Sequence, residues 1–196
     1  MNKKREVYYL QEKDIQNIRE YLLKKDLIII LVFINIGLNT GLRVSDLLEL
    51  QFEDFNENRI LRLIEKKTKK VKLVKFNQVC LESFELLKNY YLKKGIKPEK
   101  YLFKSMNREF LKKNILKKIS YSGIKKYFIL LKKELQLTYP IGTHSLRKTF
   151  GKKIYENGND IGLVMKLLNH SSARITLKYI GIDDELIMEC YDNTLV

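Results

Sequence analysis

Apolar residues recur along this chain with two different periods, and the points where the period changes outline its elements. In QEKDIQNIREYLLK (11–24), Ile15, Ile18 and Leu22 fall on one face of a helix whose other faces are charged. The next run, LIIILVFINIGL (27–38), is apolar on every side. Its 12 residues are too few to cross a bilayer and predict a buried core helix. Thr40-Gly41 breaks the chain, and Arg43 opens a short helix holding Leu47, Leu48 and Leu50. Residues 59–65 and 71–76 place aliphatic and β-branched side chains on either side of a polar KKTKK turn, which predicts an antiparallel hairpin.

Helical spacing returns over about 78–94, 107–119 and 121–136, and Tyr139-Pro140-Ile141-Gly142 reads as a loop. Thr143 is placed to cap a helix that begins with His144 and ends at Gly158. Asp160 caps a helix over 161–168, Asn169-His170-Ser171 forms its exit turn, and Ser172 caps a helix with Tyr179 on its second turn. In the tail, DDELIMECYDNTLV (183–196), Leu186, Ile187, Cys190 and Tyr191 follow one helical stripe. So short a helix is marginal alone and should seek a groove, on its own domain or on a neighbouring subunit. No Pro/Gly/Ser-rich linker and no repeat divides the chain. The pattern predicts one domain over 1–196, mainly α with a small antiparallel β-sheet (α+β).

Composition narrows the partner. With 45% hydrophobic residues in 196, the chain has material for a core and is not a disordered basic tail. Lys and Arg number 38 against 23 Asp and Glu, and the formal charge of +15 suits a polyanion held in a strongly salt-dependent way. Charge alone says nothing about sequence choice. Cys80 and Cys190 lack metal-ligand spacing, and no secretory pattern opens the chain, so a cytoplasmic, membrane-free protein is expected.

Three short segments hold the candidate chemistry: TGLRVSDLLEL (40–50), THSLRKTF (143–150) and LLNHSSARITLKYI (167–180). They contain Arg43, His144, Arg147, His170 and Tyr179, and both histidines of the chain are among them. Two guanidiniums clamp the oxygens of a phosphodiester bidentately, where lysines offer only point charges. A tyrosine phenol is a poor nucleophile until a base takes its proton, but its attack on phosphorus leaves a covalent ester. Histidine is the natural proton carrier. His144 and Arg147 are i,i+3 neighbours on one helix and face one way. Each residue alone has an ordinary structural explanation. The weight lies in their order and spacing: His144 to Arg147 is three residues, Arg147 to His170 is 23, and His170 to Tyr179 is nine.

An Arg after T-G-L, an H-x-x-R pair, an L-x-H turn and a terminal Tyr resemble the tyrosine recombinase (phage integrase) family, through nearly all of residues 8–190. The resemblance implies a catalytic domain for site-specific DNA recombination. Arg43 and Arg147 would bind the scissile phosphate with a hydrogen bond from His170, His144 would act as base toward Tyr179, and a 3′-phosphotyrosyl link would form. The family also uses a lysine in a hairpin turn to protonate the leaving 5′-oxygen. Lys67, 24 residues after Arg43, best matches that position, although Lys66, Lys69 and Lys70 share the turn. Asp46 sits where the family often has an acid, and either orients a catalytic side chain or pairs with a helix-face arginine.

The implied partner is double-stranded DNA, and the implied assembly is a homotetramer on paired sites from a protein that is monomeric without DNA. Residues 183–196 would be exchanged between subunits. No metal or other cofactor is expected, since guanidiniums supply the positive charge and the chain lacks a carboxylate cluster suited to two-metal chemistry. Two departures from the family stand out: Asn169 replaces a glycine, and Lys75 replaces a proline after the hairpin's second strand. About ten residues precede the first matching helix, which fits either an excised catalytic domain or a short single-domain member such as the fimbrial phase-switching recombinases. The charged opening after Met1 favours the latter. A type IB topoisomerase, relaxing supercoils with a similar constellation, and a non-catalytic DNA-binding regulator are the alternatives.

Overall fold

A helix with no polar face must be enclosed, and the chain wraps around one. In the computed structural model, which describes residues 6–113, 115–182 and 188, α2 (Ile28–Thr40) buries Ile28 through Ile34, Ile36, Gly37 and Thr40. It packs against α1 (Glu12–Lys24), α4 (Gln78–Lys93) and α7 (Thr143–Glu156). Its two asparagines are satisfied by those neighbours. Asn35 accepts from Arg19 Nε of α1 at 2.9 Å and donates to Ser83 Oγ of α4 at 3.1 Å, while Asn39 accepts from Asn77 at 2.7 Å. On α1 the expected Ile15, Ile18 and Leu22 face inward.

α2 runs two residues past the predicted end. Thr40 stays helical by returning its hydroxyl to Ile36 O at 2.7 Å, and Gly41, at φ 57°, makes the left-handed exit. The helix after Arg43 is shorter than expected: α3 covers only Val44–Leu47, although Leu47, Leu48 and Leu50 are all buried. A 3-10 turn at Phe52–Asp54 leads into β1 (Ile60–Ile64) and β2 (Val71–Lys75), an antiparallel pair with Ile60 opposite Lys75 and Ile64 opposite Val71. Lys75 does not end the pairing early, since Phe76 N–H still donates to Arg59 O at 2.8 Å.

The largest departure is over 107–119. Helix α5 covers only Arg108–Lys112, capped by Asn107, and Lys118 then pairs antiparallel with Lys104. Ser105 N–H donates to Lys117 O at 2.7 Å and Ile119 N–H to Phe103 O at 2.8 Å. Leu102, Phe103 and Lys104 are buried, so their backbone needs partners inside the protein; that demand outweighs the helical spacing of the apolar residues.

α6 (Tyr121–Glu134) buries Ile124, Phe128 and Leu131 and leads to α7. Thr143 does not cap α7. It is the first helical residue; Gly142 stands at the cap and its N–H donates to Ser145 Oγ at 3.0 Å. Asp160 and Ser172 do cap α8 (Ile161–Leu168) and α9 (Ala173–Ile180). Asn169 takes the left-handed turn between them at φ 48°, as a glycine would. Val164, Leu168 and Ile180 close a small second core against α7. Gly151 permits the approach: a Cβ there would lie 2.9 Å from Leu168 Cδ1 and 3.0 Å from Ile180 Cγ2. The predicted tail stripe of Leu186, Ile187, Cys190 and Tyr191 lies outside the described residues. Among the described residues no helix is long and apolar enough to cross a membrane.

The exit of α2 is the tightest point of this packing, because a Cβ on Gly41 would overlap the Phe150 ring of α7 in a backbone conformation that side chains avoid. Gly41→Ala should therefore cost roughly 2–4 kcal/mol of stability. Urea unfolding measures it, and an unchanged midpoint would mean that the turn relaxes freely.

Candidate active site

The turn at Gly41 sends Leu42 into the core and brings Arg43 against the end of β1, where its guanidinium pairs with Glu65. Arg147 enters the same space from the middle of α7 and is 2% exposed. Its Nη1 donates to Gly41 O at 2.6 Å and its Nη2 to Leu168 O. Those carbonyls close α2 and α8, where unpaired acceptors and partial negative charge gather. Arg147 Nη1 also lies 3.7 Å from Glu65 Oε1. Arg43 and Arg147, from distant parts of the sequence, thus converge on one carboxylate, with Arg147 tied to the turn that precedes Arg43.

Tyr179, on α9, faces this pair of cations. Among the described residues its hydroxyl is buried with no hydrogen bond of full geometry. Burial raises the phenol pKa, opposed by the charges of Arg147 and Arg43 and by the Arg147 guanidinium as the donor near enough to lower it. His170 meets the tyrosine ring edge-on, with centroids 5.0 Å apart, and Lys148 Nζ lies 5.2 Å from the ring centroid on its way to an ion pair with Glu6 at 2.7 Å. His144 sits at the exposed start of α7 and shares the wall of a cleft of about 700 Å³ with Lys148 and Tyr179. Partial burial and then the charges of Arg147, Lys67, Arg43 and Lys148 hold its pKa below 6.5.

The tautomer of His170 follows from its partner. Thr176 Oγ1 gives its proton to Ser172 O at 2.8 Å, so at 3.1 Å it accepts from His170 Nδ1–H. Nε2 is left free. Burial, then Arg147 and Arg43, push this imidazole down to about 4, so it is neutral at pH 7.

The hairpin turn supplies the lysines. Lys66 is committed: its ammonium pairs with Glu49, and its N–H donates to Asp46 Oδ1 at 2.9 Å. Lys67 stands exposed beside it, near enough to act on the charge state of His144. Asp46 is buried and holds the end of β1 through that backbone bond; among the described residues it forms no ion pair with an arginine.

Two charged residues inside the site were absent from the sequence expectations. Glu65 is 0% exposed; burial raises its pKa, but hydrogen bonds from Thr68 and Asn169 and the charge of Arg43 outweigh this and leave it below 4.5. Lys72 is 6% exposed and donates to Thr40 O at 3.3 Å and Gly41 O at 3.4 Å. Burial and Arg147 push it down to about 7. The signal for both was the two-residue period of the hairpin, which turns Leu61, Leu63 and Glu65, then Lys72 and Val74, to one side. Among the described residues no set of three His, Cys, Asp or Glu side chains is placed to hold a metal ion.

The family model described as the phage integrase family matches residues 8–185. The chain is 38% identical over 178 residues to the probable integrase/recombinase YoeC of Bacillus subtilis strain 168, covering 90% of each. Other curated relatives are longer, and the chain spans 51% and 42% of two of them. Its fold is similar to that of XerA recombinase, with a TM-score of 0.73 at 22% identity over 96% of this chain and 66% of that one. It is also similar to XerH site-specific recombinase bound to a palindromic difH substrate, with a TM-score of 0.72 at 21% identity over 94% of this chain and 52% of that one.

The lowered pKa of His170 carries a signed consequence. An unfolded histidine binds its proton near pH 6.5 and the folded one only near 4, so the native state loses stability as pH falls through that window. Between pH 7 and 5 the wild-type protein should lose more stability than His170→Asn, as read by urea unfolding at each pH. Equal losses would mean that His170 takes up its proton as freely folded as unfolded.

Proposed function

The chain belongs to the phage integrase family, and we propose that its site cuts and rejoins DNA at specific sequences through Tyr179. The observation that carries this reading is the Tyr179 hydroxyl, buried beside His170, facing two clustered guanidiniums and, among the described residues, without a hydrogen bond of full geometry. A polar group short of a hydrogen bond is costly to bury unless something arrives to use it. A DNA phosphate between the tyrosine and the arginines would do so.

In this mechanism Arg43 and Arg147 hold the non-bridging oxygens. Arg147 is fixed in advance by its two backbone carbonyls, so little reorganisation remains when charge builds on the phosphate. His144 accepts the phenolic proton as Tyr179 attacks phosphorus, and the bond to the 5′-oxygen breaks. Lys67 gives that oxygen a proton and leaves a 5′-hydroxyl opposite a 3′-phosphotyrosine. A 5′-hydroxyl from a second duplex then reverses the same steps, so strands exchange with no energy source beyond the ester itself. His170 can donate to the phosphate from Nε2 only as an imidazolium, because Nδ1–H is held by Thr176. The incoming negative charge favours that protonation. The proposed working form is a homotetramer on paired duplexes, assembled from monomers and supported by exchange of residues 183–196.

DNA covalently trapped from sheared, randomly nicked genomic DNA of the source cell would define the site, and a nicked duplex of that sequence serves as suicide substrate. The wild-type protein should form a denaturant-resistant adduct with it in excess EDTA. Tyr179→Phe should bind the duplex about equally and form none. An adduct in the Phe variant would place the nucleophile elsewhere, and dependence on added magnesium would contradict the guanidinium mechanism. With a formal charge of +15, affinity for the duplex should fall by roughly 10³ or more between about 50 and 200 mM salt. A flat salt response would argue against phosphate contacts.

A further inference from the structure

A buried carboxylate is costly unless it is paired and hydrogen-bonded, so the partners of Glu65 report what it is there to hold. Oε1 faces Arg43 and Arg147. Oε2 accepts from Thr68 Oγ1 at 2.6 Å and from Asn169 Nδ2 at 2.9 Å. The backbone of Glu65 closes the hairpin turn as well: its N–H donates to Lys70 O at 3.0 Å and its carbonyl accepts from Lys69 N–H at 2.9 Å. Thr68 follows Lys67 in sequence, and Asn169 precedes His170. One side chain therefore joins four stretches of chain that carry the proposed reactive groups: those of Arg43, Arg147, Lys67 and His170.

We propose that Glu65 is a positioning residue that fixes the Lys67 turn relative to Arg43, so that proton donor and phosphate clamp form one rigid frame. This rests on the recombinase reading above. Lys67 itself is exposed, and a lysine stem keeps considerable rotamer freedom, so its reach is set by where its turn sits. Besides the Glu65 backbone bonds that close the turn and the Lys66–Glu49 ion pair, two bonds reach from it to buried carboxylates of the site: Lys66 N–H to Asp46, and Thr68 to Glu65. Glu65 is fully buried and is not expected to touch DNA. A misplacement of about 1 Å in a reacting group costs on the order of 10²-fold in rate. Glu65→Gln keeps an acceptor for Thr68 or Asn169 but turns an amide donor toward Arg43, which can only donate, and so breaks the frame at one end.

The test compares single-turnover cleavage of the suicide duplex carrying a normal phosphodiester with the same duplex carrying a 5′-bridging phosphorothiolate. A thiolate leaves without a proton, so the sulfur substrate bypasses Lys67, and Lys67→Ala sets the reference for a lost donor. Glu65→Gln should bind the duplex within about threefold of wild type, cleave the oxygen substrate roughly 100-fold more slowly, and cleave the sulfur substrate no more than roughly tenfold more slowly. The sulfur-to-oxygen rate ratio then moves toward that of Lys67→Ala. Both substrates sample the same folded fraction, so partial unfolding leaves this ratio unchanged. Thr68→Val, which keeps the Glu65–Arg43 pair and removes the hydroxyl's tether to Glu65 together with its long 3.4 Å bond from Lys70 N–H, should shift the ratio the same way and decides the matter if Glu65→Gln does not fold. A wild-type ratio in the folded variants would overturn the proposal. Failure of the wild-type protein to form any adduct would instead sink the recombinase reading, and this one with it.

Discussion

The guanidinium of Arg147 can be buried only because two helices end against it. A cation taken out of water is tolerated when its donors are satisfied and opposite charge is near, and removing a partner from such a group typically costs about 3–5 kcal/mol. Here the partners are the carbonyls of Gly41 and Leu168, with the Glu65 carboxylate beyond. The reactive centre is therefore not decoration on a finished core. The exit of the apolar helix α2, the seat of α8 and the direction of Arg43 all meet at this one side chain.

Around it the charges nearly cancel. Arg43, Arg147 and Lys72 are set against Glu65 and Asp46, and Lys72 sits near 7, so the interior carries little surplus charge before DNA arrives. The surplus lies outside, in Lys67 and in the formal charge of +15. This division suits the proposed chemistry: outer lysines attract the polyanion over a distance, while an inner set with fixed dipoles meets the phosphate whose charge changes.

Much of this was legible in the sequence, because the signals were local. An apolar run with no polar face gave α2, alternation around KKTKK gave the hairpin, and Asp160 and Ser172 marked two helix starts. The five residues Arg43, His144, Arg147, His170 and Tyr179 do lie together in the fold. What failed was set by distant partners. The helix over 107–119 gave way to pairing with 103–105, and Gly142 took the cap position beside Thr143. Glu65 and Lys72 were hidden for another reason: a charged residue in a lysine-rich hairpin looks solvated until the opposite wall, built from residues over 20 positions away, closes over it.

Asn169 shows how such a wall constrains the history of a chain. It stands in a left-handed turn where the family resemblance leads one to expect glycine, and its side chain donates to Glu65. A glycine would suit the backbone better but would leave the carboxylate short of a donor, and loss of the carboxylate would remove the reason for asparagine. Positions 65 and 169 are thereby coupled through one hydrogen bond. A lineage that drifts at either should drift at both, and a graft of this hairpin onto a relative with glycine in the turn would carry a buried charge with one donor too few.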